Sequence, residues 1–252
     1  MRFDRRIIVF AVPMVVLLAL PLLGLLGGLS PHRMSEAWSH PLWAPALWLS
    51  IKTSLISLAL VVTLGTPFAW WLAQDQRSVA WQWLVDVPMV LPPAVVGLAL
   101  LVVFGRQGIL GSLSGLVFST AAVVLAQTIV AAPFYISAAV AALRAVDEDV
   151  ILVARSLGKS SLGAFVSVVL PYAWPGLAAG MGMAWARAVG EFGATLFVAG
   201  NLPGVSQTMP LAIYTVMESD LSVALSLSVL LAGLALLALL TLRWSAGRGR
   251  RS

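Results

Sequence analysis

Six long runs of apolar residues, separated by short polar segments, dominate the pattern of this chain. The runs cover Ile7–Leu29, Ser50–Leu72, Ala80–Phe104, Gly115–Ala142, Tyr172–Val198 and Leu221–Leu242. Each run has the roughly 20 apolar residues that a helix needs to cross a bilayer. Pro92–Pro93 interrupts the third run and predicts a break there, because proline removes a helical hydrogen bond. The pattern predicts an all-α, polytopic membrane protein with about six transmembrane helices, folded as a single domain over residues 1–252.

The composition agrees with a membrane protein. The chain is 60% hydrophobic and only 10% charged, with a mean hydropathy of +0.99. Soluble domains carry about 25% charged residues, so this chain lacks the charge to cover a surface that faces water. It has no cysteine and two histidines. We therefore predict neither a metal site nor a catalytic site.

The basic residues predict the orientation of the chain in the membrane. Lys and Arg are enriched in the cytoplasmic segments of membrane proteins. One side of the predicted topology holds eleven of them, namely Arg2, Arg5, Arg6, Arg77, Arg144, Arg155, Lys159, Arg243, Arg248, Arg250 and Arg251. The other side holds only Arg33, Lys52 and Arg106. Both termini are therefore predicted to be cytoplasmic, and the segment Asn201–Ser219 to be an outer loop.

The longest inner segment, about residues 143–171, begins with the signals of a short helix. Asp147 or Asp149 is placed to act as its N-cap, and the acidic start complements the helix dipole. Gly158 follows where a left-handed C-terminal cap uses glycine. The segment is longer and more apolar than a simple connector requires, which favours a docking surface on the inner side.

A second helix is predicted in the same segment. Ser160 or Ser161 can cap it, and it extends over Gly163–Leu170 and stops before Pro171. Gly158-Lys159-Ser160 looks like the end of a phosphate-binding G-x-x-x-x-G-K-S loop. The first glycine of that motif would fall on Val153, and a helix precedes the motif instead of a strand. We therefore expect that this chain does not bind ATP.

The same segment resembles the cytoplasmic loop of binding-protein-dependent ABC importer permeases. The resemblance rests on Val153-Ala-Arg-Ser-Leu-Gly158, Val169-Leu-Pro171 and Pro175-Gly176. The family pattern Glu-Ala-Ala-x-x-x-Gly places its second alanine on Ala154 and its glycine on Gly158, whereas its glutamate falls on Leu152. The resemblance implies a coupling helix that fits a cleft of an ATPase subunit. It assigns ATPase contacts to Ala154, Arg155, Leu157, Gly158, Leu170 and Pro171.

A narrower resemblance, to molybdate and tungstate permeases, extends over about residues 88–214. It is carried by Pro88-Met-Val-Leu-Pro-Pro93, by Phe104-Gly-Arg-Gln-Gly-Ile-Leu-Gly111 and by the stretch Ala186–Tyr214. Sulfate permeases share much of the Gly190–Gly193 region, but their pattern has Ser-Val at the positions of Ala194-Thr195 in this chain. A sulfate or thiosulfate permease is therefore the alternative. The resemblance implies a type I ABC importer fold and a soluble binding protein that selects the anion. It places the docking of that protein on Asn201, Pro203, Gly204, Gln207 and Thr208.

The family resemblance also implies the partners of this chain. They are a second copy of the chain in a homodimer, cytoplasmic ABC ATPase subunits, and the extracytoplasmic binding protein. ATP and Mg²⁺ would be bound by the ATPase, so no cofactor is expected in this chain. The implied location is the cell membrane of a bacterium or archaeon, the inner membrane where there are two.

Two charged residues inside the fifth run predict a pathway or an internal ion pair. Arg187 and Glu191 lie four residues apart, hence on one face of a continuous helix. A lone charge in the bilayer costs roughly 3 kcal/mol or more, so pairing is favoured. The face that also carries Thr195 would line a translocation pathway or gate, with Gly190 and Gly193 beside it. A purely structural pair explains the pattern equally well.

Two other function classes fit the chain less well. An intramembrane enzyme would need a buried nucleophile and base, but His32 and His40 both fall in the first outer loop, and Lys52 and Lys159 fall at a span end and in a loop. An ion-coupled carrier would have no use for a coupling-like inner loop. We therefore expect a transport subunit, with ATP hydrolysis in a separate subunit.

Overall fold

The computed structural model describes residues 5–27, 30–74 and 79–248, and within these ranges the chain contains helices and no β-strand. The helices are α1 (Arg5–Gly27), α2 (Pro31–Ser39), α3 (Trp43–Gln74), α4 (Val79–Val90), α5 (Pro93–Phe104), α6 (Thr120–Arg144), α7 (Glu148–Ser156), α8 (Ser161–Ala164), α9 (Leu170–Val189), α10 (Gly193–Ala199), α11 (Met209–Met217) and α12 (Leu221–Arg248). A 3₁₀ helix covers Gly111–Leu116, and a π-helical turn covers Phe165–Val169. The all-α prediction is confirmed.

Among the described residues, three helical segments are long and apolar enough to cross a bilayer without interruption. They are α3, α6 and the continuous segment Ser161–Val189, which joins α8 to α9. The pair α4–α5 passes the same test only as a bent unit. Shorter apolar stretches, Val12–Gly27 in α1 and Leu221–Leu237 in α12, lie where the first and sixth spans were predicted.

The bend between α4 and α5 confirms the break predicted at Pro92–Pro93. The two helices meet at 109°. The carbonyl of Pro92 accepts the N–H of Val95 at 2.8 Å, and Pro93 occupies the first position of α5. Proline suits that position, because the missing N–H would have no helical partner there.

The core consists of α3, α6 and α9. Tyr135 of α6 and Leu177 of α9 are almost completely buried between these helices. Two glycines of α9 permit close contact with α6: a Cβ at Gly176 would lie 2.5 Å from the Cβ of Ala142, and one at Gly180 would lie 2.9 Å from that of Ala138. Small residues that bring helix backbones together are typical of membrane bundles.

One face of α3 carries hydroxyl groups that face the interior. Ser50, Thr53, Ser54 and Ser57 are all 0% exposed. Ser57 Oγ lies 3.2 Å from Gln127 Oε1 on α6, and Ser50 Oγ accepts the N–H of Met209 at 2.7 Å. These contacts join α3 to α6 and to the start of α11 inside an apolar bundle.

The fourth span begins later than the prediction of Gly115. The helix starts at Thr120, and Ser119 caps it by accepting the N–H of Ala122 at 3.3 Å. Phe118 before the cap has a positive φ of 58°, a conformation that ends any helix coming from the 3₁₀ segment. The predicted start was therefore wrong by five residues.

Candidate functional site

The turn that ends α7 has the geometry predicted for it. Asp147 Oδ1 accepts the N–H of Asp149 at 2.9 Å, so Asp147 is the N-cap. At the other end Gly158 has φ +86°. Its N–H donates to Arg155 O, and the N–H of Lys159 donates to Ala154 O. This pair of hydrogen bonds is a Schellman motif, which satisfies carbonyls that the helix end leaves without a partner.

The side chains of α7 divide into a buried and an exposed set. Ala154 is 6% exposed, whereas Leu152, Val153 and Leu157 are 59, 58 and 79% exposed. Arg155 and Gly158 are also exposed. An apolar surface of this kind at a short capped helix indicates an interaction site. The predicted ATPase contacts Arg155, Leu157 and Gly158 lie on it, while Ala154 packs inward.

The second helix predicted within residues 143–171 continues farther than expected. Ser160 Oγ accepts the N–H of Gly163 at 3.1 Å and caps α8. We expected this helix to stop before Pro171, but it continues into α9. A π-helical turn precedes the proline, with Leu170 N donating to Phe165 O. This wider turn lets the helix continue past a residue that has no N–H.

The predicted fifth span is broken, which corrects the expectation of one helix over Tyr172–Val198. α9 ends at Val189 and α10 begins at Gly193. Phe192, just before α10, has φ −126° and ψ −55°, outside the helical range. Glu191 Oε1 accepts the N–H of Ala194 at 2.7 Å. The carboxylate thus satisfies the start of a new helix, and this stabilises the break.

The predicted Arg187–Glu191 ion pair forms across this break. Arg187 Nη2 lies 2.6 Å from Glu191 Oε2, with the side chains 25% and 1% exposed. One carboxylate oxygen therefore binds the end of α9, and the other binds the start of α10. The Glu191 side chain therefore joins the two helices across the break.

α10 packs against α5 at very short range. A Cβ at Gly97 would lie 2.6 Å from Ala194 Cα, and one at Gly193 would lie 3.1 Å from Ala94 N. The two segments that follow the two helix breaks are therefore in contact. Thr195 is completely buried on α10, and its hydroxyl has no hydrogen-bond partner among the described residues. The prediction that Thr195 continues the Arg187–Glu191 face of one helix was wrong.

The segment after α10 is partly helical, because α11 occupies Met209–Met217 of the predicted loop Asn201–Ser219. Gln207 Nε2 donates to Asn201 Oδ1 at 2.9 Å. Gln207 and Thr208 are 3% and 0% exposed. Of the predicted docking residues, only Pro203 and Gly204 are exposed, while Asn201 is half-buried. The buried residues Gln207 and Thr208 therefore maintain the shape of the segment, which presents Pro203 and Gly204 at its surface.

Sequence reasoning did not include the buried hydroxyl face of α3. Its signal is present: Ser50, Thr53, Ser54 and Ser57 follow helical spacing within an apolar run. Gln127 had no comparable signal, because a single amide in an apolar run does not reveal its partner. In the described part of the chain, no group of three or more His, Cys, Asp or Glu side chains is placed to hold a metal ion.

Known proteins are similar to this chain in sequence over most of its length. A family model described as "Binding-protein-dependent transport system inner membrane component" matches residues 65–248. The molybdenum transport system permease protein ModB of Mycobacterium tuberculosis is 39% identical over 237 residues, which cover 91% of this chain and 90% of that protein. The molybdate/tungstate transport system permease protein WtpB of Thermococcus kodakarensis is 38% identical, with 79% of this chain and 77% of that protein covered.

A solved structure supports the fold independently of sequence. It is a bacterial ABC transporter involved in the import of the acidic polysaccharide alginate, and it superposes with a TM-score of 0.77 over 97% of this chain and 96% of the matched chain. The two sequences are only 14% identical, so this likeness concerns the fold alone. The type I importer fold expected from the sequence is confirmed.

Proposed function

Because this chain belongs to the family of binding-protein-dependent transport system inner membrane components, we propose that it carries molybdate or tungstate across the cell membrane. The chain is a multi-pass transport subunit and not an enzyme. The observation that carries the choice of anion is the 39% identity to a molybdenum permease over 91% of the chain. The Ala194-Thr195 pair supports the same choice, because the sulfate permease pattern has Ser-Val at these positions.

The proposed energy source is an ABC ATPase that docks on α7. The exposed side chains of Leu152, Val153 and Leu157 form an apolar surface, and the Schellman motif at Gly158 fixes the end of that surface. ATP and Mg²⁺ belong to the ATPase, and no cofactor is assigned to this chain. This proposal predicts that the ATPase co-purifies with the chain.

The proposed orientation places α7 and both termini in the cytoplasm. It is supported by the eleven basic residues on that side against three on the other, since Lys and Arg are enriched in cytoplasmic segments. α3 and α6 run in the same direction, since Ser57 contacts Gln127 in their N-terminal halves and Arg144 contacts Leu72 at their C-terminal ends. The loop around Pro203 and Gly204 is then extracytoplasmic, where a soluble binding protein can dock on it. The membrane would be that of a bacterium or archaeon.

The proposed pathway follows the broken helices at the interface of two copies of the chain. α5 and α10 both begin at a helix break and pack on each other, so they can move together as a gate. Arg187 and Glu191 neutralise each other beside it, and an anion therefore meets little net negative charge. Weak contacts with small residues such as Gly190 and Gly193 suit transit, because a tight site would retain the ion.

Uptake into proteoliposomes tests the proposal. The chain, its ATPase and the binding protein are reconstituted, and radiolabelled molybdate, tungstate and sulfate are offered with and without ATP. We expect molybdate or tungstate uptake that depends on ATP and on the binding protein, with sulfate transported poorly. Robust sulfate uptake without molybdate or tungstate uptake would overturn the choice of anion, and uptake without ATP would overturn the importer mechanism.

A further inference from the structure

A groove follows α3 and α6 from the middle of α3 to the helix ends that lie next to α7. Its apolar part is a cavity of about 370 Å³ lined by residues such as Leu60, Leu64 and Ala132. Ile136 is shared with the next cavity, of about 270 Å³, to which α4 contributes Gln82 and Asp86. The groove therefore changes from apolar to polar along its length.

A third cavity, of about 460 Å³, continues the groove beyond the ends of the helices. It shares Gln82 and Arg144 with the second cavity and adds Gln74 and Glu148. From Leu60 to Gln74 the groove follows 15 residues of α3, and the 14 steps between them rise roughly 21 Å at 1.5 Å per residue. One leaflet of a bilayer, including its headgroups, is about 20–22 Å thick. The groove thus has the length and the polarity gradient of one phospholipid.

The charges at the polar end favour a particular headgroup. The Arg144 side chain is held in place because its Nη2 donates to Leu72 O at 3.0 Å, which leaves other guanidinium N–H groups to face the cavity. Gln82 offers an amide beside it. Asp86 and Glu148 are exposed and line these two cavities, which gives two carboxylates against the one cation Arg144. Arg155 lies beyond Glu148, in an adjoining cavity.

We propose that this groove binds one phospholipid with an ethanolamine headgroup, from the leaflet on the α7 side. Its phosphate would accept hydrogen bonds from Arg144 and Gln82, since guanidinium groups favour phosphate. Its primary ammonium would donate to Asp86 and Glu148. A glycerol headgroup leaves the lipid anionic and has no ammonium group to pair with the two carboxylates. A choline headgroup has a quaternary ammonium, which cannot donate hydrogen bonds to them. The site lies apart from α5 and α10 and does not depend on which anion is transported.

Native mass spectrometry of the full-length protein, purified from membranes in mild detergent, tests this site. The protein is offered equal amounts of phosphatidylethanolamine, phosphatidylglycerol and phosphatidylcholine with identical acyl chains. We expect one retained lipid per chain, with phosphatidylethanolamine preferred about fivefold, as one added charge–charge contact would give. Equal retention of the three lipids, or a preference for phosphatidylglycerol, would overturn the headgroup assignment.

Variants separate the two parts of the site. Asp86→Asn combined with Glu148→Gln should abolish the preference while lipid is still retained, and Ala132→Phe should reduce retention of all three lipids by filling the apolar part. Arg144 is left unchanged because it also caps α3. Glu218→Gln, the same isosteric change at the opposite end of the molecule, is the matched control and should retain the wild-type preference.

Each variant is compared with the wild type in melting temperature, so that a loss of lipid is not mistaken for unfolding. If the wild-type protein retains no lipid, or if Ala132→Phe leaves lipid retention unchanged, lipid does not occupy the groove and the proposal is wrong. If the double variant at Asp86 and Glu148 keeps the full preference, those carboxylates do not bind the ammonium.

Discussion

The turn at the end of α7 and the break between α9 and α10 are both helix ends, but only the first is determined locally. Around α7 the capping groups lie within the same short stretch: Asp147 caps one end and Gly158 ends the other. At the second helix end, Glu191 caps α10, but the break also brings Gly97 of α5 within contact of Ala194. The first helix end depends on neighbouring residues only, whereas the second also depends on Gly97, which lies almost a hundred positions away from Ala194 in the sequence.

This difference has a functional consequence. A turn that is stable by itself can transmit force from a docked partner without changing its shape. A break that is completed by a neighbouring helix can change when that neighbour moves. We therefore expect the α7 turn to act as a rigid element and the α5–α10 contact to be movable, and the following variants test each role.

The largest expected effect is that of Glu191→Gln. It retains an oxygen for the Ala194 N–H but leaves Arg187 without its partner. Loss of one member of a buried pair costs about 3–5 kcal/mol, and the 25% exposure of Arg187 favours the lower value. We expect a clear fall in melting temperature together with a loss of anion uptake.

The double variant Arg187→Gln, Glu191→Gln separates the two roles that the sequence left open for this pair. If the pair is structural, removing both charges should restore most of the stability and the uptake. If it belongs to the pathway, stability should return while uptake stays low. Wild-type stability together with wild-type uptake in Glu191→Gln would contradict both roles.

Gly97→Ala should have the next largest effect. The added Cβ would meet the backbone at Ala194, and forced overpacking typically costs about 1–3 kcal/mol. Thermal unfolding of the purified protein measures the loss. Gly115→Ala is the control, because a Cβ there meets nothing within 4 Å. Equal melting temperatures of the two variants would show that α5 and α10 do not pack this closely.

How far the sequence could be interpreted depended on the distance between the interacting residues. The apolar runs, the Pro92–Pro93 break and the caps at Gly158 and Ser160 were predictable, since each depends on periodicity or on residues within a few positions. The break at Glu191 was not, because an apolar run with two glycines reads as one helix until Gly97 and Ala194 are known to be in contact. The continuation past Pro171 was missed because a π-helical turn has no local sequence signal.

Gly158→Ala tests the rigid role of the α7 turn. A positive φ costs a residue with a Cβ about 1–2 kcal/mol, and nothing lies within 4 Å to add a clash. We expect normal insertion and yield, with a several-fold loss of ATP-dependent uptake relative to ATP hydrolysis. Gly204→Ala, with φ +74° and equally open space, places the same strain in the loop proposed to dock the binding protein. Any loss of docking there should lower uptake and hydrolysis together and leave their ratio unchanged, and equal ratios in the two variants would contradict the coupling role of Gly158.

The smallest expected effect distinguishes Asp147 from Asp149 at the start of α7. Asp147 accepts a backbone N–H, and replacing an N-cap by alanine costs about 1 kcal/mol. Asp149 lies in the first turn and acts only through the helix dipole, which is worth about 0.3–1 kcal/mol and is screened by salt. Hydrogen exchange of the α7 amides should therefore accelerate about fivefold in Asp147→Ala at any ionic strength. In Asp149→Ala the acceleration should be smaller and should disappear at high salt. The reverse order would mean that Asp149 is the cap, and no change in either variant would mean that contacts with the rest of the protein, and not the local caps, hold α7 in place.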